Sequence, residues 1–129
     1  MDRFVINGPT PLEGTLTVSG AKNAVLPLMA AALLARGETV IDNVPDLQDV
    51  RFFMIILERL GAVCNLEGRR LTIDTAAAAG REAPYDLVRK MRASVYVLGP
   101  LLAFHGEARV SQPGGCAWGP RPVNLHLEG

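Results

Sequence analysis

The sequence of 129 residues lacks the features that mark several common classes of protein. Its two cysteines, Cys64 and Cys116, have no CxxC spacing, so neither a disulfide framework nor a zinc-ligand pattern is indicated, and a reducing cytoplasm is the expected location. Basic and acidic residues number 13 each, which gives no electrostatic case for a nucleic-acid partner or an anionic membrane surface. Any anion site must therefore be a local cluster of cations.

Long apolar runs and nucleotide-binding motifs are missing as well. The longest uncharged apolar run, residues 24–35, is too short to span a bilayer, and no apolar region of a secretory leader follows Asp2 and Arg3. The absence of P-loop, GxGxxG and HExxH patterns leaves nucleotide hydrolysis, dinucleotide binding and zinc proteolysis without support, and we expect no metal and no cofactor. With 49% apolar residues, the chain can still bury the core of one domain.

Hydrophobic periodicity and turn residues predict an α/β chain. The pattern predicts helices over residues 24–35, 46–60 and 87–104 and from 124 onward, and strands at 4–6, 15–19, 39–42, 62–66, 70–73 and 107–111. Pro27 is expected near the first turn of the first helix and Gly37 at its end. Gly99-Pro100 predicts a kink or break in the third helix.

An internal repeat relates the two halves of the chain. The stretch Lys22-Asn23-Ala24-Val25 has a counterpart 70 residues later in Arg92-Ala93-Ser94-Val95, and each opens an apolar run that closes with Gly-Glu and a strand. This period predicts a duplicated βα unit whose copies complete a shared core. Repeat 1 covers about residues 22–75, and the start of repeat 2 covers about 85–129.

The repeat places Lys22 and Arg92 at equivalent positions, each at the start of a helical run. Helix N-termini present free N–H groups and a partial positive charge, so a cation beside one favours anion binding. A cation is not the usual choice there, because it meets an unfavourable dipole. Two such sites in one cleft suit a substrate with several phosphates, although both residues can also be read as surface cations.

A Gly/Pro-rich loop carries the second cysteine. In PGGCAWGPRP, residues 113–122, six of ten residues are Gly or Pro, and such loops lie at the surface. Cys116 can be a reactive thiol helped by Arg121, or a small buried hydrophobe; Cys64, in an alternating strand, fits the buried reading. Arg121 is flanked by prolines and can grip phosphate or carboxylate, or be a solvated loop cation.

Three motifs together resemble one family. SGAKNAVLP at 19–27, APYDLVRKMRAS at 83–94 and PGGCAWGPRPVNLH at 113–126 closely resemble the UDP-N-acetylglucosamine 1-carboxyvinyltransferases, in the family's order and near its spacing. The resemblance implies an inside-out α/β barrel, or prism, of repeated βα units, with helices inside and sheets outside. It further implies that residues 1–21 are strands of a second domain mostly absent here, and that 22–129 are an incomplete first domain.

The resemblance also implies a reaction and its residues. The family transfers the enolpyruvyl group of phosphoenolpyruvate to the 3′-hydroxyl of UDP-N-acetylglucosamine, releases phosphate, and so begins peptidoglycan synthesis. Cys116 matches the family's proton donor, which also bonds covalently to phosphoenolpyruvate and to fosfomycin. The matching substrate-binding residues are Lys22, Asn23 and Arg121 for phosphoenolpyruvate, and Arg92, Arg121, Pro122, Val123, Asn124 and Leu125 for the nucleotide sugar. These small molecules are the expected partners of a monomeric full-length enzyme.

The chain departs from the family in three places and leaves two alternatives open. Asn124 stands where the family usually has Asp, and Trp118 and Pro120 are less usual loop residues. Because the family needs its second domain to close the cleft, this chain alone is expected to be inactive. One alternative is a 5-enolpyruvylshikimate-3-phosphate synthase-like enzyme, which is expected to show Lys-Ser-x-Ser-x-Arg where this chain has residues 22–27. The other is a non-catalytic paralogue that binds a UDP-sugar.

Overall fold

The computed structural model describes residues 3–112 and 123–128. The helices are α1 (Lys22–Ala31), α2 (Gln48–Arg59), α3 (Tyr85–Val88), α4 (Leu98–His105) and α5 (Asn124–Glu128), with 3-10 helices at Ala32–Leu34 and Arg92–Val97. The strands are β1 (Glu38–Ile41), β2 (Val63–Glu67), β3 (Arg70–Asp74), β4 (Glu82–Ala83) and β5 (Arg109–Val110). No helix in these two ranges is long and apolar enough to cross a membrane.

The strands form two small sheets. The first has the order β1-β3-β2 and is antiparallel throughout, and the predicted β2–β3 hairpin turns at Gly68, whose φ is +59°. In the second, β4 and β5 are parallel, so the chain between them crosses over through α3, the 3-10 helix and α4. The mixed α/β class is therefore confirmed, while closure of the units into a barrel stays a prediction.

The core lies between the helices and the first sheet. Met29 of α1, Phe53 of α2 and Leu71 and Ile73 of β3 are 0% exposed. Gly20 lets the chain enter α1 tightly against the next loop, because a Cβ there would collide with the carbonyl oxygen of Asn43. This close approach fixes where α1 begins, and with it the position of Lys22.

Two predictions about the first helix are wrong. The helix begins at Lys22, two residues earlier than predicted, and Pro27 therefore lies inside α1, beyond its first turn. The left-handed residue at the end of the run is Arg36, with φ of +50°, and not Gly37. The guanidinium of Arg36 lies 4.1 Å from the ring centroid of Phe104, a contact that favours this conformation of an Arg.

The third predicted helix is divided at two places. Residues 89–91 separate α3 from the 3-10 helix Arg92–Val97, and the change from that 3-10 helix to α4 falls at Leu98, directly before Gly99 and Pro100. The hydroxyl of buried Ser94 donates to the carbonyl of Val88 at 3.1 Å and so ties the 3-10 helix to α3. Gly106, with φ of +69°, ends α4 as the repeat predicts.

The strands predicted at 4–6 and 15–19 do not form in this chain. Residues 3–21 carry no helix or strand, and their large apolar side chains are 70–100% exposed: Phe4, Val5, Ile6, Leu12, Leu16 and Val18. A strand is stable only when a neighbour completes its ladder of hydrogen bonds, and no strand of the described chain pairs with these residues. Their assignment to a second domain stays a prediction.

Candidate functional site

A cleft of about 400 Å³ opens where α1, α2 and the 3-10 helix Arg92–Val97 meet. Its walls are formed by Lys22, Asn23, Leu26, Asp49, Met91, Arg92, Ala93, Val95, Tyr96 and Val123. The cleft brings together four residues that the sequence predicted to bind substrate, Lys22, Asn23, Arg92 and Val123. Residues that are far apart in the sequence therefore line the same cleft.

Both predicted cations open a helical run at this cleft. Lys22 is the first residue of α1, and Arg92 is the first residue of the 3-10 helix that continues directly into α4. Ala21 and Met91, which precede them, have extended backbones, and neither helix start has a side-chain cap. At these two helix starts, each of which begins with a cation, backbone N–H groups can donate hydrogen bonds to the oxygens of a phosphate or carboxylate.

A carboxylate that the sequence did not assign to the site also faces the cleft. Asp49, in the first turn of α2, forms an ion pair with Lys22, whose Nζ lies 2.7 Å from Oδ2 of the aspartate. The sequence placed Asp49 only within the second predicted helix, residues 46–60, because the packing of α1 on α2 that brings it beside Lys22 is not visible in the sequence. The described wall therefore carries two cations and one carboxylate.

Tyr96 is a second cleft residue that the sequence did not assign to the site. Its side chain is 44% exposed and lines the cleft together with Arg92. Arg92–Val97 is a 3-10 helix, in which residues three apart share a face and residues four apart do not, so the spacing of Arg92 and Tyr96 does not by itself predict that both line the cleft. An aromatic ring beside a guanidinium offers an apolar surface to a flat ring or a sugar.

The remaining predicted residues are placed less directly. Cys116, Arg121 and Pro122 lie outside the described residues, as do Trp118 and Pro120. Asn124 and Leu125 begin α5, where both are exposed, and neither lines the cleft, although Val123 immediately before them does. Their roles stay predictions.

The other cysteine has the environment of an unreactive thiol. Cys64, on β2, is partly buried against the core, and burial, with a smaller contribution from the negative charge of Glu58, raises its pKa to about 12. Because of this raised pKa, Cys64 is protonated at neutral pH. The reactive form of a cysteine is the thiolate, so Cys64 is expected to be unreactive. Cys64 is half-buried against the core, which supports the buried interpretation in part.

Comparison with known proteins identifies close relatives. Residues 6–129 match the family described as EPSP synthase (3-phosphoshikimate 1-carboxyvinyltransferase). The protein named UDP-N-acetylglucosamine 1-carboxyvinyltransferase is 57% identical over 128 residues in Chlorobium chlorochromatii and 56% identical over 127 residues in Solidesulfovibrio magneticus. Each match covers 98% of this chain, and the chain spans about 30% of the length of these relatives.

A solved structure has the same fold. The crystal structure of the enolpyruvyl transferase NikO from Streptomyces tendae superposes with a TM-score of 0.74 at 29% identity. The match covers 91% of this chain and 25% of that one. The resemblance inferred from the three motifs and the enolpyruvate transferase-like fold are thus both confirmed.

Proposed function

Since this chain belongs to the EPSP synthase family, we propose that it forms one wall of the active site of a UDP-N-acetylglucosamine 1-carboxyvinyltransferase. In the proposed reaction the 3′-hydroxyl of the sugar adds to C2 of phosphoenolpyruvate while C3 gains a proton. The tetrahedral intermediate then loses phosphate and a proton from C3, which leaves the enolpyruvyl ether. This ether is the first committed intermediate of peptidoglycan synthesis, made in the cytoplasm.

The observation that carries the proposal is the meeting of Lys22, Asn23, Arg92 and Val123 at one cleft. Both substrates are anionic, one with a phosphate and a carboxylate and the other with a diphosphate. Two cations at uncapped helix starts stabilise such charges, including the charge that develops on phosphate as it leaves.

The residues divide between the two substrates. Lys22 and Asn23 serve the phosphoenolpyruvate side, and Arg92 with residues 121–125 serves the nucleotide sugar. Cys116 supplies the proton to C3, and Arg121 grips phosphate. A proton donor must come within hydrogen-bonding reach of C3, and this requirement makes the loop of residues 113–122 the part of the chain that approaches the reacting atoms.

A chimera tests this function. The chain would replace the matching segment of the Chlorobium chlorochromatii relative, and phosphate release would be measured with phosphoenolpyruvate and either UDP-N-acetylglucosamine or shikimate 3-phosphate. We expect turnover with the nucleotide sugar only. The isolated chain is expected to be inactive, because it supplies one side of the cleft.

Each other outcome selects another function. Turnover with shikimate 3-phosphate would favour the second enzyme of the family, whose name the family description carries. Binding of the UDP-sugar by a folded chimera that releases no phosphate would favour the non-catalytic paralogue. Turnover by the isolated chain would refute the claim that it supplies only one wall.

A further inference from the structure

Two aspartates stand at the start of α2, and they differ in what they face. Asp46 lies just before the helix and pairs with Arg51 through two hydrogen bonds of 2.7 and 2.8 Å. Asp49 pairs with Lys22 at 2.7 Å and lines the cleft, which Asp46 does not. An attraction for the helix dipole explains an acid at either position, so it does not account for the contact that Asp49 makes across to α1.

The ion pair between Asp49 and Lys22 offsets an unfavourable charge at the start of α1. The ammonium of Lys22 sits at the positive end of a helix, where the dipole repels it, on a flexible side chain that is 45% exposed. Without a partner it would spend much of its time in solvent, and holding it at the cleft would reduce the entropy of several rotatable bonds. Asp49, itself 42% exposed, offsets the dipole and limits these motions.

We infer that Asp49 is a positioning residue, which holds the Lys22 ammonium at the cleft in reach of an incoming phosphate or carboxylate. The inference rests on the proposed function only for the identity of that anion. If Asp49 positions Lys22, removal of its carboxylate should weaken anion binding. Net charge alone predicts the opposite, because the cleft becomes more positive and should bind an anion more tightly. Positioning and net charge therefore predict changes of opposite sign.

The first measurement concerns the lysine itself and needs no turnover. The chain contains two lysines, Lys22 and exposed Lys90, so ¹³C labelling of the lysine ε-carbons gives one signal to test and one internal reference. We expect nuclear magnetic relaxation to show Lys22 as the more ordered of the two. In Asp49→Asn its order should fall to that of Lys90, in Asp49→Glu it should be largely restored, and in Asp46→Asn it should not change.

The second measurement is binding of inorganic phosphate and of phosphoenolpyruvate, followed by the same Lys22 signal. Asp49→Asn should raise both dissociation constants about threefold, the size expected when an exposed ion pair is lost. Asp49→Glu should recover most of this loss, and Asp46→Asn, which also removes an acid from the helix start, is the matched control for stability.

The results separate this inference from the proposed function. An equally ordered Lys22 in Asp49→Asn, or unchanged or tighter anion binding in that variant, overturns the positioning role. If the unsubstituted chain binds neither anion, the proposed anion site is wrong, and the order of Lys22 in the variants still decides what Asp49 does. If Asp49→Asn fails to fold, the order of Lys22 in the unsubstituted chain at low and high salt decides the question: because salt screens this exposed pair, positioning by Asp49 predicts that Lys22 loses order at high salt, and unchanged order overturns the role.

Discussion

The segment predicted as the first repeat, residues 22–75, and the segment predicted as the second, from residue 85, both run from a helix to a strand, but they differ in completeness. In the first, a ten-residue helix leads into β1, and the β2–β3 hairpin supplies the neighbour that β1 pairs with. In the second, the run is divided into α3, a 3-10 helix and α4, and the two-residue β5 pairs with β4 alone among the described strands. The two repeats nevertheless bring Lys22 and Arg92 to one cleft.

The difference separates what local sequence decides from what neighbours decide. A helix start needs only an extended residue followed by a helical run, and both repeats have one, at Ala21 and Met91. Strand length depends on the partner beside the strand, so it varies with the surroundings of each repeat. The site survives this variation because its cations are placed by helix starts and not by strands.

The largest expected effect concerns the core of the first repeat. Phe53 is 0% exposed, and Phe53→Ala should lower the free energy of unfolding by about 3–5 kcal/mol through lost burial and the cavity left behind. Phe104→Ala in the second repeat should cost about half as much, since that ring is only partly buried and is covered on one face by Arg36. Urea unfolding of the chain measures both. Equal losses would mean that the second repeat is packed as firmly as the first, which would break the comparison.

The two cations should differ in their kinetic effects within the active chimera. Lys22→Gln should lower kcat about 10²–10³-fold, because its charge is used on the phosphate that leaves. Arg92→Gln should mainly raise the KM for the nucleotide sugar, since uniform binding is lost. Lys90→Gln, on an exposed residue away from the cleft, is the control and should change neither constant. A kcat loss of the same size in Arg92→Gln would contradict the division of substrates between the two repeats.

The sequence predicts most of the structure wherever the signal is local. The ends of α2 and of the strands in the β2–β3 hairpin were predicted within about two residues. Their signals, the glycine of the hairpin turn at Gly68 and the helical spacing of apolar residues in α2, depend only on residues close together in the sequence. The strands predicted at 4–6 and 15–19 do not form, because no strand of the described chain pairs with these residues. Gly99-Pro100 lies directly after the junction between the 3-10 helix and α4, whereas the gap at residues 89–91 was not predicted, because those residues include no glycine or proline.

In the candidate site, too, the residues marked by local sequence could be predicted and those placed by tertiary packing could not. Lys22, Asn23 and Arg92 could be predicted from the repeat and the motifs, which are features of sequence alone. Asp49 could not, because its contact with Lys22 depends on how two helices pack. The general lesson is that a site built from helix starts can be predicted residue by residue, whereas the partners of those residues require the tertiary structure.

The smallest expected effect compares the single cysteine of each repeat. Burial, and then the charge of Glu58, raises the pKa of Cys64 from 9.0 to about 12 in the folded chain, while the unfolded thiol ionises near 9. The stabilisation from this thiol is therefore complete below about pH 9 and is lost as the pH rises towards about 12. Cys64→Val should flatten the fall of the unfolding free energy over this window in urea titrations, whereas Cys116→Ser should leave the contribution of Cys64 in place. An unchanged slope in Cys64→Val would mean that the thiol of the first repeat is as open to solvent as an unfolded one, and the contrast in packing between the repeats would not extend to β2.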